Sequence, residues 1–157
     1  MVLDNLVIIQ DTREKEPLLF ASFGVDVRRD YIEYGDYSIL GFEKEFSIER
    51  KRDTAELAQN VVEKRFEREL KELNLIKHAY ILCEFPQARL LDFPANSGIP
   101  PYLLPKIKIG AKFLRKRVHE LQNDYPNIQW IFCDDKISAL HKGMELINEF
   151  YNSQKTK

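Results

Sequence analysis

The sequence predicts a three-layer α/β/α sandwich built on a mixed central sheet, and three observations carry that prediction. Short apolar runs at residues 6–10, 80–84 and 128–133 read as buried strands. In the second half of the chain such strands alternate with helical patterns, the order that makes parallel pairs with right-handed crossovers. Helical patterns at residues 53–73, 111–123 and 135–151 are numerous enough to cover both faces of the sheet. At 157 residues the chain fits one domain, expected over 1–151, with a frayed tail at 152–157.

The elements follow in order. Leu6, Val7, Ile8, Ile9 and Gln10 form a β-branched run that ends at Asp11, a strand delivering polar groups at its C-terminal end. Pro17 and Gly24 punctuate a loop or short helix. Residues 25–32 read as a strand, Gly35-Asp36 as a turn, and residues 37–40 and 45–51 as two further strands. Their short joins predict that these three strands form an antiparallel meander. Asp53-Thr54-Ala55-Glu56 is a helix start of the capping-box kind. Leu57, Val61, Phe66, Leu70 and Leu73 then recur on one face, with an irregularity expected near Val62-Glu63. Five prolines (Pro86, Pro94, Pro100, Pro101 and Pro105) make residues 86–105 a loop with room for one short helix.

Composition excludes several classes. Apolar content of 44% with 31% charged residues is that of a folded globular domain. Net charge is −1, so the whole surface is not a polyanion-binding one, although a local basic face is compatible with that balance. No apolar run reaches bilayer-spanning length, and residues 1–6 lack the basic and apolar regions of a signal peptide. Cys83 and Cys133 lie in apolar strands and read as reduced, buried thiols. The expectation is an intracellular protein, cytoplasmic, or nuclear in a eukaryote, without membrane association.

The chemistry is carried by residues between 11 and 51. Side chains alternate along a strand, so Ser47, Glu49 and Lys51 share one face while Phe46, Ile48 and Arg50 share the other. Phe46 and Ile48 are the apolar set. Glu49 and Lys51 therefore point together into a cleft, about 7 Å apart along the strand. The meander brings Asp36 beside Glu49. Two carboxylates and a lysine suit a hard cation, Mg²⁺ or Mn²⁺, whose remaining positions go to water and phosphate oxygens. Such a metal lowers the pKa of a bound water, and the lysine stabilises charge building on a scissile phosphate. Each residue has a plainer reading in isolation: Asp36 as a turn aspartate, Glu49 and Lys51 as the wet face of an edge strand. Only the combination is specific.

Asp11-x-Arg13-Glu14, Gly35-Asp36-Tyr37 and Glu49-Arg50-Lys51 together resemble the motifs of the XPF-type nuclease domain, a branch of the PD-(D/E)XK, restriction-endonuclease-like superfamily. The resemblance extends weakly through Arg65-Phe66 and the later strands to the final helix. It implies a metal-dependent endonuclease acting on branched or flapped DNA. By motif position it implies Asp36 and Glu49 as metal ligands, Lys51 as catalytic, Asp11 as a supporting metal ligand, and Arg13 and Glu14 as adjoining active-site residues. Where family members often place an aspartate four residues after the lysine, this chain has Ala55. The paired helix-hairpin-helix module that often follows such domains is absent from this sequence.

The nucleic-acid-binding residues expected are Arg50, Arg65, Lys106, Lys108, Lys112 and Lys116. For the lysine-rich stretch, a phosphate grip and a solvated helix face weigh evenly. Trp130 reads as core, and His78, His119 and His141 lack metal-ligand spacing. The alternative to a nuclease is a catalytically silent DNA-binding or scaffold subunit of the same fold, for which loss of the acids or the lysine would be the mark. Relatives pair through this domain, so a homodimer or pairing with a separate DNA-binding subunit is an expectation that the resemblance implies.

Overall fold

The computed structural model describes residues 5–157; residues 1–4, where the expected domain and the N-terminal reading begin, lie outside the described residues. Among the described residues, six strands form one sheet: β1 (Val7–Asp11), β2 (Asp26–Asp30), β3 (Tyr37–Ile39), β4 (Phe46–Lys51), β5 (His78–Cys83) and β6 (Ile128–Phe132). Four α-helices among the same residues accompany them: α1 (Thr54–Asn60), α2 (Lys64–Leu73), α3 (Ala111–Asp124) and α4 (Lys136–Lys155). The sheet order is β2-β1-β3-β4-β5-β6, with β1/β2, β4/β5 and β5/β6 parallel and β1/β3 and β3/β4 antiparallel. The sheet is mixed and the fold is α/β, as expected.

The helices segregate by the pleat. Ile81 and Cys83 of β5 face a core made with Leu57, Phe66, Leu70, Leu114 and Val118, from α1, α2 and α3. Ile8, Ile39, Phe46, Ile48 and Leu82 face the opposite core, closed by Met144, Leu146, Ile147 and Phe150 of α4. Each fully buried side chain of this kind contributes about 1.5–3 kcal/mol relative to an exposed one. Gly143 lets α4 come down on the sheet: a Cβ there would stand 3.0 Å from Cζ of Phe20.

Three expectations are corrected. The three-strand meander does not form, because β2 pairs in parallel with the far side of β1. The apolar β1 is paired on both edges, with β3 on one and β2 on the other, whereas the charged Asp-Val-Arg-Arg-Asp sequence of β2 suits an edge. The stretch between them, which includes the short 3₁₀ turn Phe20–Phe23, is long enough for a crossover. The helical pattern of residues 53–73 is two helices rather than one, broken where the irregularity was expected. The last helix runs to Lys155, past the expected limit at 151, so most of the supposed tail is helical. Its N-cap Asp135 makes a capping box with Ser138.

The proline-rich segment contains two 3₁₀ turns, Gln87–Leu90 and Pro101–Lys106. Trp130 is only partly buried against the α1–α3 core. Cys83 and Cys133 are buried free thiols. Among the described residues, no helix is long and apolar enough to cross a membrane.

Candidate functional site

Direction decides where the polar residues gather. β3 runs against β1 and β4, so the C-terminal ends of β1, β4 and β5 lie at the same end of the sheet as the N-terminal end of β3. That end collects Asp11, Asp36, Lys51 and Glu84. Open α/β sheets bind ligands beyond the carboxyl ends of their strands.

Asp36 is fixed by its backbone before its side chain acts. Its N–H donates to the Ile48 carbonyl at 2.8 Å, and its own carbonyl accepts from Asp11 N at 2.8 Å, so it ties β1 to β4. Gly35 makes this approach possible. It holds φ at +105°, and a Cβ there would sit 2.0 Å from Oγ of Ser47. The Asp36 carboxylate accepts from Arg50 N at 2.7 Å. The carboxyl is open to the cleft on one side and otherwise deep among protein atoms. That desolvation, followed by the charges of Glu49 and Glu14, raises its pKa well above the ordinary 3.8.

Glu49 and Lys51 point as strand alternation requires, away from Phe46 and Ile48 and toward α1 and α2. Lys51 Nζ lies 3.3 Å from Glu49 Oε1, 2.7 Å from Asn60 Oδ1 and 4.8 Å from the Phe66 ring centre. Burial favours the neutral amine, but Glu49, Glu56 and Asp36 outweigh it and raise the Lys51 pKa. It is held as an ammonium. Two confluent clefts, of about 190 and 260 Å³, open here, and Arg13, Glu14, Asp36, Glu49, Lys51 and Glu56 line both. The five residues expected at the catalytic centre are therefore gathered, with Glu56 added.

Asp11 and Arg50 are both held by protein partners, and Arg50 is placed differently from expectation. Asp11 accepts from Ile32 N at 2.9 Å on one oxygen, and from Arg13 N at 3.2 Å and Arg13 Nε at 2.6 Å on the other. Burial alone would raise its pKa; those bonds win and lower it. Both oxygens accept from protein donors, so Asp11 anchors Arg13 and the chain after β2 while lining the larger cleft with Asp36 and Glu49. Arg50, expected to grip nucleic acid, is only 5% exposed. Its guanidinium donates to Glu84 through Nε and Nη2, and to Glu14 Oε2 and the Glu16 carbonyl through Nη1. Those contacts lock the loop after β1 over the end of the sheet. Tyr37 completes the lock: its hydroxyl donates to Glu14 Oε2 at 2.8 Å and accepts from Leu18 N at 2.8 Å.

Arg13 remains available. Its side chain is 62% exposed even while bonded to Asp11, and it lies 5.3 Å from the Tyr31 ring centre. Arg65 lines the larger cleft and pairs with Glu63 at 3.6 Å and Glu69 at 3.9 Å. Lys106, Lys108, Lys112 and Lys116 are exposed and line neither cleft. Sequence reasoning missed Glu84 and Asn60. Glu84 carried a faint signal, as an acid closing an apolar strand; Asn60 carried none, because its partner is set by how α1 docks on β4.

The residues present can be tested against the divalent cation that the motifs imply. Among the described residues, no group of three or more His, Cys, Asp or Glu side chains is arranged to enclose a metal ion. Mg²⁺ does not need such a cage, since it keeps several waters and binds through one or two carboxylates plus substrate oxygens. Asp36 and Glu49, which line both clefts, fit that requirement, and a cation there would oppose the burial and the acidic neighbours that raise the Asp36 pKa.

Comparison with known proteins adds three findings. A family model described as the ERCC4 domain matches residues 10–141. Among solved structures, "XPF from Aeropyrum pernix" superposes with a TM-score of 0.67 at 19% identity, over 92% of this chain and 65% of that one. The structure titled "XPF from Aeropyrum pernix, complex with DNA" gives 0.67 at 19% identity, over 94% and 66%. This chain thus spans just under two-thirds of those chains, and at such identity the likeness is one of fold. No curated protein matches the sequence.

Proposed function

The chain belongs to the ERCC4 domain family, and from that membership we propose that it is a divalent-metal-dependent endonuclease that hydrolyses phosphodiester bonds in branched, flapped or otherwise structured DNA. The observation that carries this reading is the sharing of two clefts by Asp36, Glu49 and the Lys51 ammonium. Asp36 and Glu49 would hold Mg²⁺ or Mn²⁺. The bound ion would supply an activated water and neutralise phosphate charge.

The protein's own residues do the rest. Lys51 offers a fixed positive N–H donor to the phosphate oxygen on which charge grows. Arg13, pinned at Asp11 and open to solvent, meets the DNA backbone beside the cleft. Glu14, carrying hydrogen bonds from Arg50 and Tyr37, forms a rigid wall rather than a mobile acid. Hydrolysis adds the elements of water across one P–O bond and needs no other co-reactant.

Purified protein incubated with labelled duplex, single-stranded and flapped DNA should cut in Mg²⁺ or Mn²⁺ and stop cutting in EDTA. Cleavage unaffected by EDTA, or retained in both Asp36→Ala and Lys51→Ala, overturns the mechanism. Tight binding without cutting under every metal would replace it with the scaffold reading.

A further inference from the structure

Lysine is a poor positioning device on its own, because its ammonium rides on a flexible four-carbon stem. In this protein it is buried, and two of its three N–H groups meet specific acceptors. Glu49 Oε1 is the longer contact, at 3.3 Å, and Asn60 Oδ1 the shorter, at 2.7 Å. Among the described residues the third N–H meets no hydrogen-bond acceptor, while the Phe66 ring flanks the group at 4.8 Å.

Glu49 is an unreliable anchor for this ammonium. The same carboxylate is assigned to a cation, and an oxygen engaged there is less available to Lys51. Asn60 carries no charge, so its oxygen can hold the ammonium without adding a competing anionic ligand. The orientation of its amide is fixed from outside: Asn60 Nδ2 donates to Glu63 Oε1 at 3.2 Å, which leaves Oδ1 facing Lys51. Both residues sit at the joint between α1 and α2, Asn60 ending the first helix and Glu63 standing just before the second. Asn60 also lines the larger cleft.

From the Glu63–Asn60–Lys51 juxtaposition we infer that Asn60 is a positioning residue, which holds the Lys51 ammonium in register with the substrate phosphate. The inference rests on the endonuclease reading of the site. Its plain alternative is a helix-end asparagine that only helps α1 pack.

Steady-state cleavage of flapped DNA in Mg²⁺ by the full chain separates the two. Asn60→Ala should lower kcat by about tenfold to a hundredfold with KM unchanged, as expected for a misplaced catalytic group. Asn60→Gln, which keeps a neutral amide able both to accept from Lys51 and to donate to Glu63, should recover part of that loss. A second readout needs neither metal nor DNA. The ¹⁵Nζ order parameter of Lys51, assigned by the signal lost in Lys51→Ala, should fall in Asn60→Ala and be partly restored in Asn60→Gln. Wild-type kcat in Asn60→Ala, or Lys51 order indifferent to the substitution, overturns the inference. If no DNA is cut under any metal, or Lys51→Ala cuts normally, the endonuclease reading fails instead, and the NMR comparison still decides whether Asn60 orders Lys51.

Discussion

Asp36 does structural and chemical work with different atoms. Its main chain stitches β1 to β4, and its carboxyl sits where burial and two acidic neighbours oppose ionisation. That opposition has a sign. The folded protein holds the Asp36 proton more tightly than the unfolded chain does, so the stability this group contributes is complete below its ordinary pKa of 3.8 and is lost as pH rises through the raised folded value. The thermal midpoint of EDTA-treated protein should therefore decline toward neutral pH more steeply in wild type than in Asp36→Asn. Mg²⁺ should restore the wild type most at the neutral end. Equal slopes for the two proteins would show that Asp36 is not under this stress. Much of the residue-level site was legible in the sequence, because strand alternation alone aims Glu49 and Lys51 together. Asp11 and Arg50 were not legible in the same way: what each one bonds depends on which strands and loops become neighbours, and no spacing encodes that.

Elements bring those residues together, and the junction before β3 is the narrowest part of the assembly. Gly35 sits against Ser47 with a backbone conformation that L-residues avoid. Gly35→Ala should cost about 1–3 kcal/mol from backbone strain alone, with the steric clash added. It should also abolish cleavage by pushing Asp36 away from β4. Denaturant unfolding measures the first effect and a cleavage assay the second; a stable, active variant would mean that the strands can part there freely. The helix break at residues 61–63 was visible as a lapse in apolar spacing. The position of β2 was not, since short joins suggested a meander and the parallel pairing with the far edge of β1 is set by a crossover that no local spacing encodes.

At the scale of the molecule, charge is distributed unevenly around a nearly neutral total. The clefts mix acids and bases, while Lys106, Lys108, Lys112 and Lys116 stand exposed on a separate stretch leading into and along α3. If these four lysines contact DNA phosphates, replacing all of them with glutamine should reduce the salt slope of duplex affinity, log K against log salt, by about 3.6, at about 0.9 per phosphate. An unchanged slope assigns them to solvent. The layered architecture was legible from the order of strands and helices. The relation of this basic stretch to the clefts was not, because distance across a folded surface leaves no trace in local pattern.

The outermost strand has a bearing on how the protein behaves when concentrated. β2 offers its outer backbone edge to solvent, an invitation for a strand from another molecule to dock. Asp26, Arg28, Arg29 and Asp30 crowd that border with ions that would have to shed water before such docking. Polar borders of this kind discourage runaway ribbon growth, and swapping these ions for valine or isoleucine would remove the guard without touching the interior.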